Sequence, residues 1–207
     1  MSDNIFRYFP LLSDFQKEKL SRLKHIYDRW NSMINVISRK DMDNFLVHHV
    51  LHSMALGKVI TFLPGTRILD VGTGGGFPGI PLAILFPDSE FTLLDSIEKK
   101  IKVVASVAEE LELKNVIPLR TRVEDEKGKY HFIISRAVTE FPRFVTITSK
   151  NIDNSGTNSL RNGILYLKGG DLSDELAQFQ NRVKVWNIND FFDEPFFETK
   201  KIIYLPV

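Results

Sequence analysis

Over the first forty positions, apolar residues recur at Phe15, Leu20, Leu23, Tyr27, Trp30, Ile34 and Ile37, mostly three or four apart, the period of a helix with one buried face. Lys17, Lys19, Lys24, Asp28 and Arg29 fall on the opposite side. Ser13 with Gln16 three residues later has the form of a capping box, so the spacing predicts a helix from there to about Ile37. A second helix is predicted over residues 43–62, carrying Phe45, Leu46, His49, Val50, Met54, Leu56 and Ile60. From Ile68 the pattern changes. Short apolar runs at 68–71, 91–95, 115–119, 130–135 and 164–167 have strand length and alternate with helical stretches at 80–85, 96–111 and 141–149. Such alternation predicts an α/β fold with a doubly wound, mainly parallel sheet. Residues 151–159 are rich in turn formers and predict a loop. Further on, Asp171 is placed to cap a short helix, and 183–188 with 201–205 read as a closing antiparallel pair. The chain thus divides into an N-terminal helical extension, 1–62, and a Rossmann-like domain, 63–207, forming one structural unit.

The join between the first predicted strand and its helix carries the chemistry. Asp70-Val71-Gly72-Thr73-Gly74-Gly75-Gly76-Phe77-Pro78-Gly79 places four glycines in five positions at a strand end. Glycine there permits positive φ and close approach of a ligand to the backbone. Gly74-x-Gly76-x-x-Gly79 fits a dinucleotide fingerprint by letter, a weak signal alone. Asp70 would set a like charge against a pyrophosphate, and Pro78 removes a donor that a phosphate would use. A cationic nucleoside without phosphate suits the turn better, and S-adenosylmethionine is one. Asp70, Gly72, Gly74 and Gly76 spell the acid-x-Gly-x-Gly-x-Gly pattern of Rossmann-like methyltransferases. Asp95 ends the second strand, where an acid binds ribose hydroxyls in this fold; it is also placed to cap the helix that follows.

Composition narrows the chemistry further. The 207 residues contain no cysteine, which excludes a disulfide framework, a thiolate metal site and methylation through a covalent cysteine nucleophile. With 27 Lys and Arg against 26 Asp and Glu, no global field announces an anionic partner. No apolar run approaches the roughly 18 to 20 residues that cross a bilayer. The start, Met1-Ser2-Asp3-Asn4, lacks the layout of a secretion signal, so no membrane association and a cytoplasmic location are expected. His48, His49 and His52 cluster, with His48 and His52 one helical turn apart, but no third ligand at helical spacing follows. No metal is expected, and packing or RNA contact is the reading for these histidines.

Taken in order, the motifs resemble the RsmG (GidB) family, bacterial methyltransferases of 16S ribosomal RNA. The resemblance runs over residues 30–170 and rests on Trp30-Asn31-x-x-x-Asn35, the glycine segment with its Pro78-Gly79-Ile80, Leu94-Asp95-Ser96 with Lys99-Lys100, Arg122-Val123-Glu124, Ser135-Arg136-Ala137 and Leu167-Lys168-Gly169. It implies a class I methyltransferase fold and S-adenosylmethionine-dependent methylation of a guanine N7 in the 530 loop of 16S RNA. The partner would be that RNA or the small ribosomal subunit, with the enzyme a monomer. Gly72, Phe77, Val123, Glu124 and Arg136 would contact the cofactor, joining Gly74 and Asp95 from the turn pattern. Arg136 and Lys168 are candidate RNA contacts, Lys168 through phosphate, and Arg39, Lys40, Lys99 and Lys100 could extend that footprint; ordinary surface charge is the alternative for Lys168. No catalytic acid or base is assigned, because guanine N7 carries an in-plane lone pair and no proton. One departure stands out: where many members read Arg-His-Ile-Leu-Asp-Ser, this chain reads His48-His49-Val50-Leu51-His52-Ser53.

Three rivals remain open on sequence alone. An NAD-dependent oxidoreductase would follow from the glycine fingerprint. A methyltransferase acting on a small molecule or protein would keep fold and cofactor. A non-enzymatic RNA-binding module would keep only a vestigial pocket, against which the intact Asp70, Gly72 and Asp95 argue.

Overall fold

The computed structural model describes residues 3–136, 138–156 and 158–207. Ala137 of the Ser135-Arg136-Ala137 motif, and the side chain of the candidate phosphate contact Arg39, lie outside the described residues. Seven strands form one sheet: β1 Arg67–Val71, β2 Glu90–Asp95, β3 Val116–Arg120, β4 Phe132–Arg136, β5 Gly163–Gly169, β6 Lys184–Asn187 and β7 Lys200–Pro206. Their order is β3-β2-β1-β4-β5-β7-β6. The first five strands pair in parallel, and β7 runs antiparallel between β5 and β6. The predicted closing pair exists, with β7 inserted beside β5. The chain winds outward from β1 to β3 and then returns to β4, so the strand order reverses between β1 and β4. A crevice opens at such a switch point, beyond the carboxyl ends of the strands.

Alternation along each strand builds two apolar layers. Ile68, Phe91, Leu93, Phe132, Ile134, Leu165 and Leu167 face one core. Leu69, Val71, Leu94, Ile133, Ile164 and Tyr166 face the other. The first layer is covered by α1 Asp3–Tyr8, α2 Asp14–Met33, the segment leading through α3 His52–Met54, α4 Gly79–Leu85 and α5 Glu98–Glu110; the second by α6 Phe141–Thr148 and α7 Ser173–Leu176.

Helix α2 ties these elements to one another. Its capping box forms as predicted, Ser13 Oγ accepting from Gln16 N at 3.3 Å and Gln16 Oε1 from Ser13 N at 2.9 Å. The amide of Gln16 also donates to Ile84 O and Leu85 O, at 3.1 and 2.9 Å, satisfying carbonyls that the end of α4 leaves free. Further along, Lys19 donates to Leu111 O and Arg22 to Glu110 O, doing the same for α5.

Two predicted helices depart from what their apolar period suggests, one in length and one in regularity. Helix α2 stops at Met33 rather than near Ile37 because the Asn31 side chain takes over the backbone there. Its Oδ1 accepts from Val36 N and Ile37 N and its Nδ2 donates to Ile37 O, all at 2.9 Å, a side-chain competition that ends helices. The helix expected over 43–62 is present over 39–58 but irregular, running without a break through a 3₁₀ turn Arg39–Asn44, a π turn Leu46–Leu51, α3 and a 3₁₀ turn Ala55–Lys58. Asp41 supplies the reason. Its two oxygens meet His48 Nδ1 at 2.5 Å and His49 Nε2 at 2.6 Å. In an α-helix adjacent side chains diverge by about 100°; a wider π turn separates them less, so one carboxylate can take both rings.

Candidate functional site

At the carboxyl ends of β1, β2 and β4 lies a cleft of about 660 Å³. Its wall begins at Val71 and Gly72, where β1 enters the glycine turn. Gly72 has φ of 70°, and a Cβ there would meet Val138 Cγ2 at 2.6 Å; only glycine lets the β4–α6 connection pack against this turn. Beneath it, Tyr27 donates from α2 to Gly75 O at 2.6 Å. The sequence pattern ranked Tyr27 only as an apolar helix position, yet its hydroxyl fixes the turn.

Asp70 is fully buried at the end of β1. Its Oδ2 accepts from Thr73 Oγ1 at 2.7 Å and from Gly79 N at 2.9 Å, bracing both ends of the turn. Oδ1 is buried without a partner. Burial raises the carboxyl to about 7, outweighing those two hydrogen bonds. A buried acid with an unpaired oxygen is complementary in charge to a cationic ligand and adverse to a phosphate.

The turn's amides carry the same message. Gly72 N and Thr73 N donate to Leu94 O, Gly76 N and Phe77 N to Thr73 O, Gly74 N to Asp95 and Gly79 N to Asp70. Six donors that a pyrophosphate would need are already engaged, and Pro78 has none. The dinucleotide reading fails on this count.

Asp95 ends β2, as its position suggested, and its side chain reaches the start of α5. Its oxygens accept from Ile97 N at 2.9 Å, from Gly74 N at 3.1 Å and from Lys100 Nζ at 3.3 Å, so it joins the glycine turn to the start of α5. A carboxylate offers about four acceptor positions; one remains, and the long Lys100 contact is readily exchanged for a hydroxyl. Ile97, the N-cap of α5 with no side-chain cap of its own, is half-exposed in the same cleft. With Val123 and Ile147 it gives the flat apolar lining that a purine base requires.

Of the other predicted contacts, Val123, Glu124 and Arg136 line the cleft, and Gly74 stands behind it through its bond to Asp95. Phe77 turns away: its ring is buried against Tyr27 and Phe45, at centroid distances of 4.9 and 5.8 Å, leaving only its backbone for a ligand. Lys168 is separate from the cleft. Its ammonium lies 2.5 and 2.6 Å from the Glu175 oxygens, and Glu175 also accepts from Phe141 N at 2.8 Å. Glu175 therefore satisfies the first amide of α6 from outside that helix. Lys40 and Lys99 are exposed and outside the cleft lining, whereas Lys100 belongs to it.

Sequence reasoning missed Arg143 and passed over Arg122 as a phosphate contact. Both are exposed, and with Lys100 and Arg136 they set four cations around the cleft against Asp95 and Glu124. A chain of near-zero net charge thus presents a locally positive mouth. Neither arginine was legible, because their meeting depends on how the 121–124 segment and α6 fold together. His48 and His49 are held by Asp41, His52 Nε2 is buried without a hydrogen-bond partner, and among the described residues no group of three or more His, Asp or Glu side chains could hold a metal ion.

Comparison with known proteins agrees with this geometry. Residues 16–201 match the family model described as rRNA small subunit methyltransferase G (GidB). The chain is 53% identical to the ribosomal RNA small subunit methyltransferase G of Flavobacterium johnsoniae, over 99% of this chain and 98% of that protein. With the protein of the same name from Christiangramia forsetii it shares 53% identity over 97% of this chain and 95% of the relative. Among solved structures, a SAM-dependent methyltransferase from Aquifex aeolicus is similar with a TM-score of 0.55 at 16% identity, covering 75% of this chain and 89% of that one, a likeness of fold alone.

Proposed function

We propose that the chain, which belongs to the rRNA small subunit methyltransferase G family, transfers a methyl group from S-adenosylmethionine to the N7 of a guanine in the 530 loop of 16S RNA. The observation that carries the reading is the gathering of Gly72, Asp95, Val123, Glu124 and Arg136 around one cleft with a cationic mouth. S-adenosylmethionine supplies, when bound, an electrophilic methyl on a sulfonium. Asp95 would hold ribose hydroxyls, Val123 and Ile97 would flank the adenine, and the glycine turn would admit the ligand close to its backbone. Asp70, beneath that turn, gives the site its preference for positive charge.

Guanine N7 needs no general base, so the protein's task is to align acceptor and methyl. Arg136, partly buried at the tip of β4, is the group placed to orient cofactor or base. Lys100, Arg122 and Arg143 would meet backbone phosphates at the mouth. Lys168 enters only as a cation whose Glu175 partner would have to yield to a phosphate. In this reading the enzyme acts as a monomer in the cytoplasm. Residues 1–62 and 63–207 form a helical extension and a methyltransferase domain in one unit, which their shared apolar core supports. Among the described residues no helix is long and apolar enough to cross a membrane.

The test is transfer of labelled methyl from S-adenosylmethionine to small ribosomal subunits taken from cells lacking their own modification. Label in the RNA fraction is expected. Label confined to ribosomal protein, or none despite measurable cofactor binding, would overturn the substrate and leave the fold.

A further inference from the structure

Asp41, His48 and His49, which the proposed function does not use, form a connected group with Arg136, which it does. Arg136 leaves the tip of β4, and its guanidinium turns under the π turn. One nitrogen donates to His48 O at 3.1 Å and another faces His49 Nδ1 at 3.1 Å. The same guanidinium lies 5.4 Å from the centroid of the Phe77 ring. On its far side, His49 Nε2 is 2.6 Å from Asp41 Oδ2.

These contacts admit one protonation state. A guanidinium has donors only, so His49 Nδ1 must accept. The carboxylate of Asp41 accepts, so Nε2 must carry the hydrogen. His49 is therefore a neutral imidazole with a fixed tautomer, running Asp41 carboxylate, Nε2–H, Nδ1, Arg136 guanidinium. Burial and the neighbouring Arg136 charge lower its pKa to about 4 against the pull of Asp41, so the arrangement persists at neutral pH. His48, bonded to the other oxygen of Asp41 and stacked on Phe196 at 3.8 Å, holds the carboxylate from the second side. Two of the five N–H donors of Arg136 are thereby directed at the π turn, and the remaining ones stay available to the cleft that Arg136 lines.

We propose that His49 is a positioning residue for methyl transfer, using its neutral imidazole and Asp41 to hold the Arg136 guanidinium at the reacting end of the cleft. The inference rests on the methyltransferase reading above for what Arg136 is positioned to do, and on its own geometry for how. It also gives the departing segment a role: His48 buttresses Asp41, His49 steers Arg136, and buried His52 packs edge-on to Phe196 and Phe197, at 5.5 and 5.9 Å. A ring that merely filled space would be replaceable by any side chain of similar volume. A steering ring would be replaceable only by one that donates on one side and accepts on the other.

The experiment combines spectroscopy with kinetics. In ¹⁵N histidine spectra of the full chain, His49 should show an unprotonated Nδ1 and a protonated Nε2 throughout pH 6 to 9. This readout needs no activity, so it stands even if the RNA substrate is wrong. In single-turnover transfer to small subunits, His49→Leu should slow the step by about 10- to 100-fold while the half-saturating RNA concentration changes by less than about threefold. His49→Gln, whose amide both donates and accepts, should recover most of the rate. In an Arg136→Ala background, His49→Leu should cost nothing more. A protonated or Nδ1–H imidazole would overturn the proposal. So would a His49→Leu loss that is additive with Arg136→Ala or confined to RNA affinity. Should His49→Leu not fold, Asp41→Asn and His49→Gln carry the same comparison.

Discussion

Replacing Asp70 with asparagine separates the two jobs that this buried acid performs. Asparagine keeps an oxygen for the Thr73 hydroxyl and the Gly79 amide, the two contacts at 2.7 and 2.9 Å, while removing the charge. In the folded chain the Asp70 carboxyl titrates at about 7, against about 3.9 in an unfolded chain. Between those values the unfolded chain has released a proton that the folded chain still holds, so raising the pH favours unfolding. The stability lost over the whole interval is about 4 kcal/mol, at about 1.4 kcal/mol per pH unit. Part of it has gone by pH 5, leaving about 2 to 3 kcal/mol to be lost between pH 5 and pH 8. Buried neutral histidines act in the opposite sense: His49 and His52 both have lowered pKa values from burial, so they lose stability as the pH falls below about 6.5. Their contribution is common to both proteins and cancels in the difference. Urea unfolding of the ligand-free wild type and Asp70→Asn at pH 5 and pH 8 should show the variant gaining about 2 to 3 kcal/mol on the wild type over that range. Parallel pH profiles would refute the buried-acid reasoning. The variant should also bind S-adenosylmethionine more weakly, since the charge that favours a cationic ligand is gone.

Further expectations concern the turn and the mouth. In Gly72→Ala the new Cβ meets Val138 at 2.6 Å with φ at 70°, so a loss of about 1 to 3 kcal/mol in stability is expected. Cofactor affinity should fall with it, and Val138→Ala should relieve only the steric part; calorimetry reads both effects. Tyr27→Phe leaves the buried Gly75 carbonyl without its 2.6 Å donor, for a cost of about 1 to 3 kcal/mol in chemical denaturation. Arg143→Ala should reduce the salt dependence of RNA binding by about one ion. Lys168→Ala, its ammonium already held by Glu175, should reduce it by less.

Much of this site is written locally. The apolar run of β1, the glycines and the acid ending β2 are recognisable by their spacing, although their contacts cross the fold, as that of Gly74 with Asp95 does; spacing and charge together pointed to the crevice and its cofactor. The strand alternation likewise carried the sheet, including the antiparallel closure. What escaped the pattern depends on partners distant in the chain. Asn31 ends α2 by folding back on Val36 and Ile37, which an apolar period cannot register. Asp41 draws two successive histidines together where the helix widens into a π turn, which hydrophobic spacing cannot register. Phe77 looks like a ligand-facing residue beside the glycines, yet Tyr27 and Phe45 from the N-terminal segment bury it. Arg143 becomes a mouth residue only because α6 packs beside the cleft, and Lys168 is taken out of play by an acid seven positions on.

The central claim is that this cleft presents a guanine N7 of small-subunit RNA to the methyl of S-adenosylmethionine. Its most direct test is to treat subunits with enzyme and cofactor, cleave the RNA chemically at 7-methylguanosine, and map the break by primer extension. A single new break in the 530 loop, absent without enzyme and lost in Arg136→Ala, is the predicted result. Methylated RNA with no such break, or a break elsewhere, would contradict the assignment of atom and site.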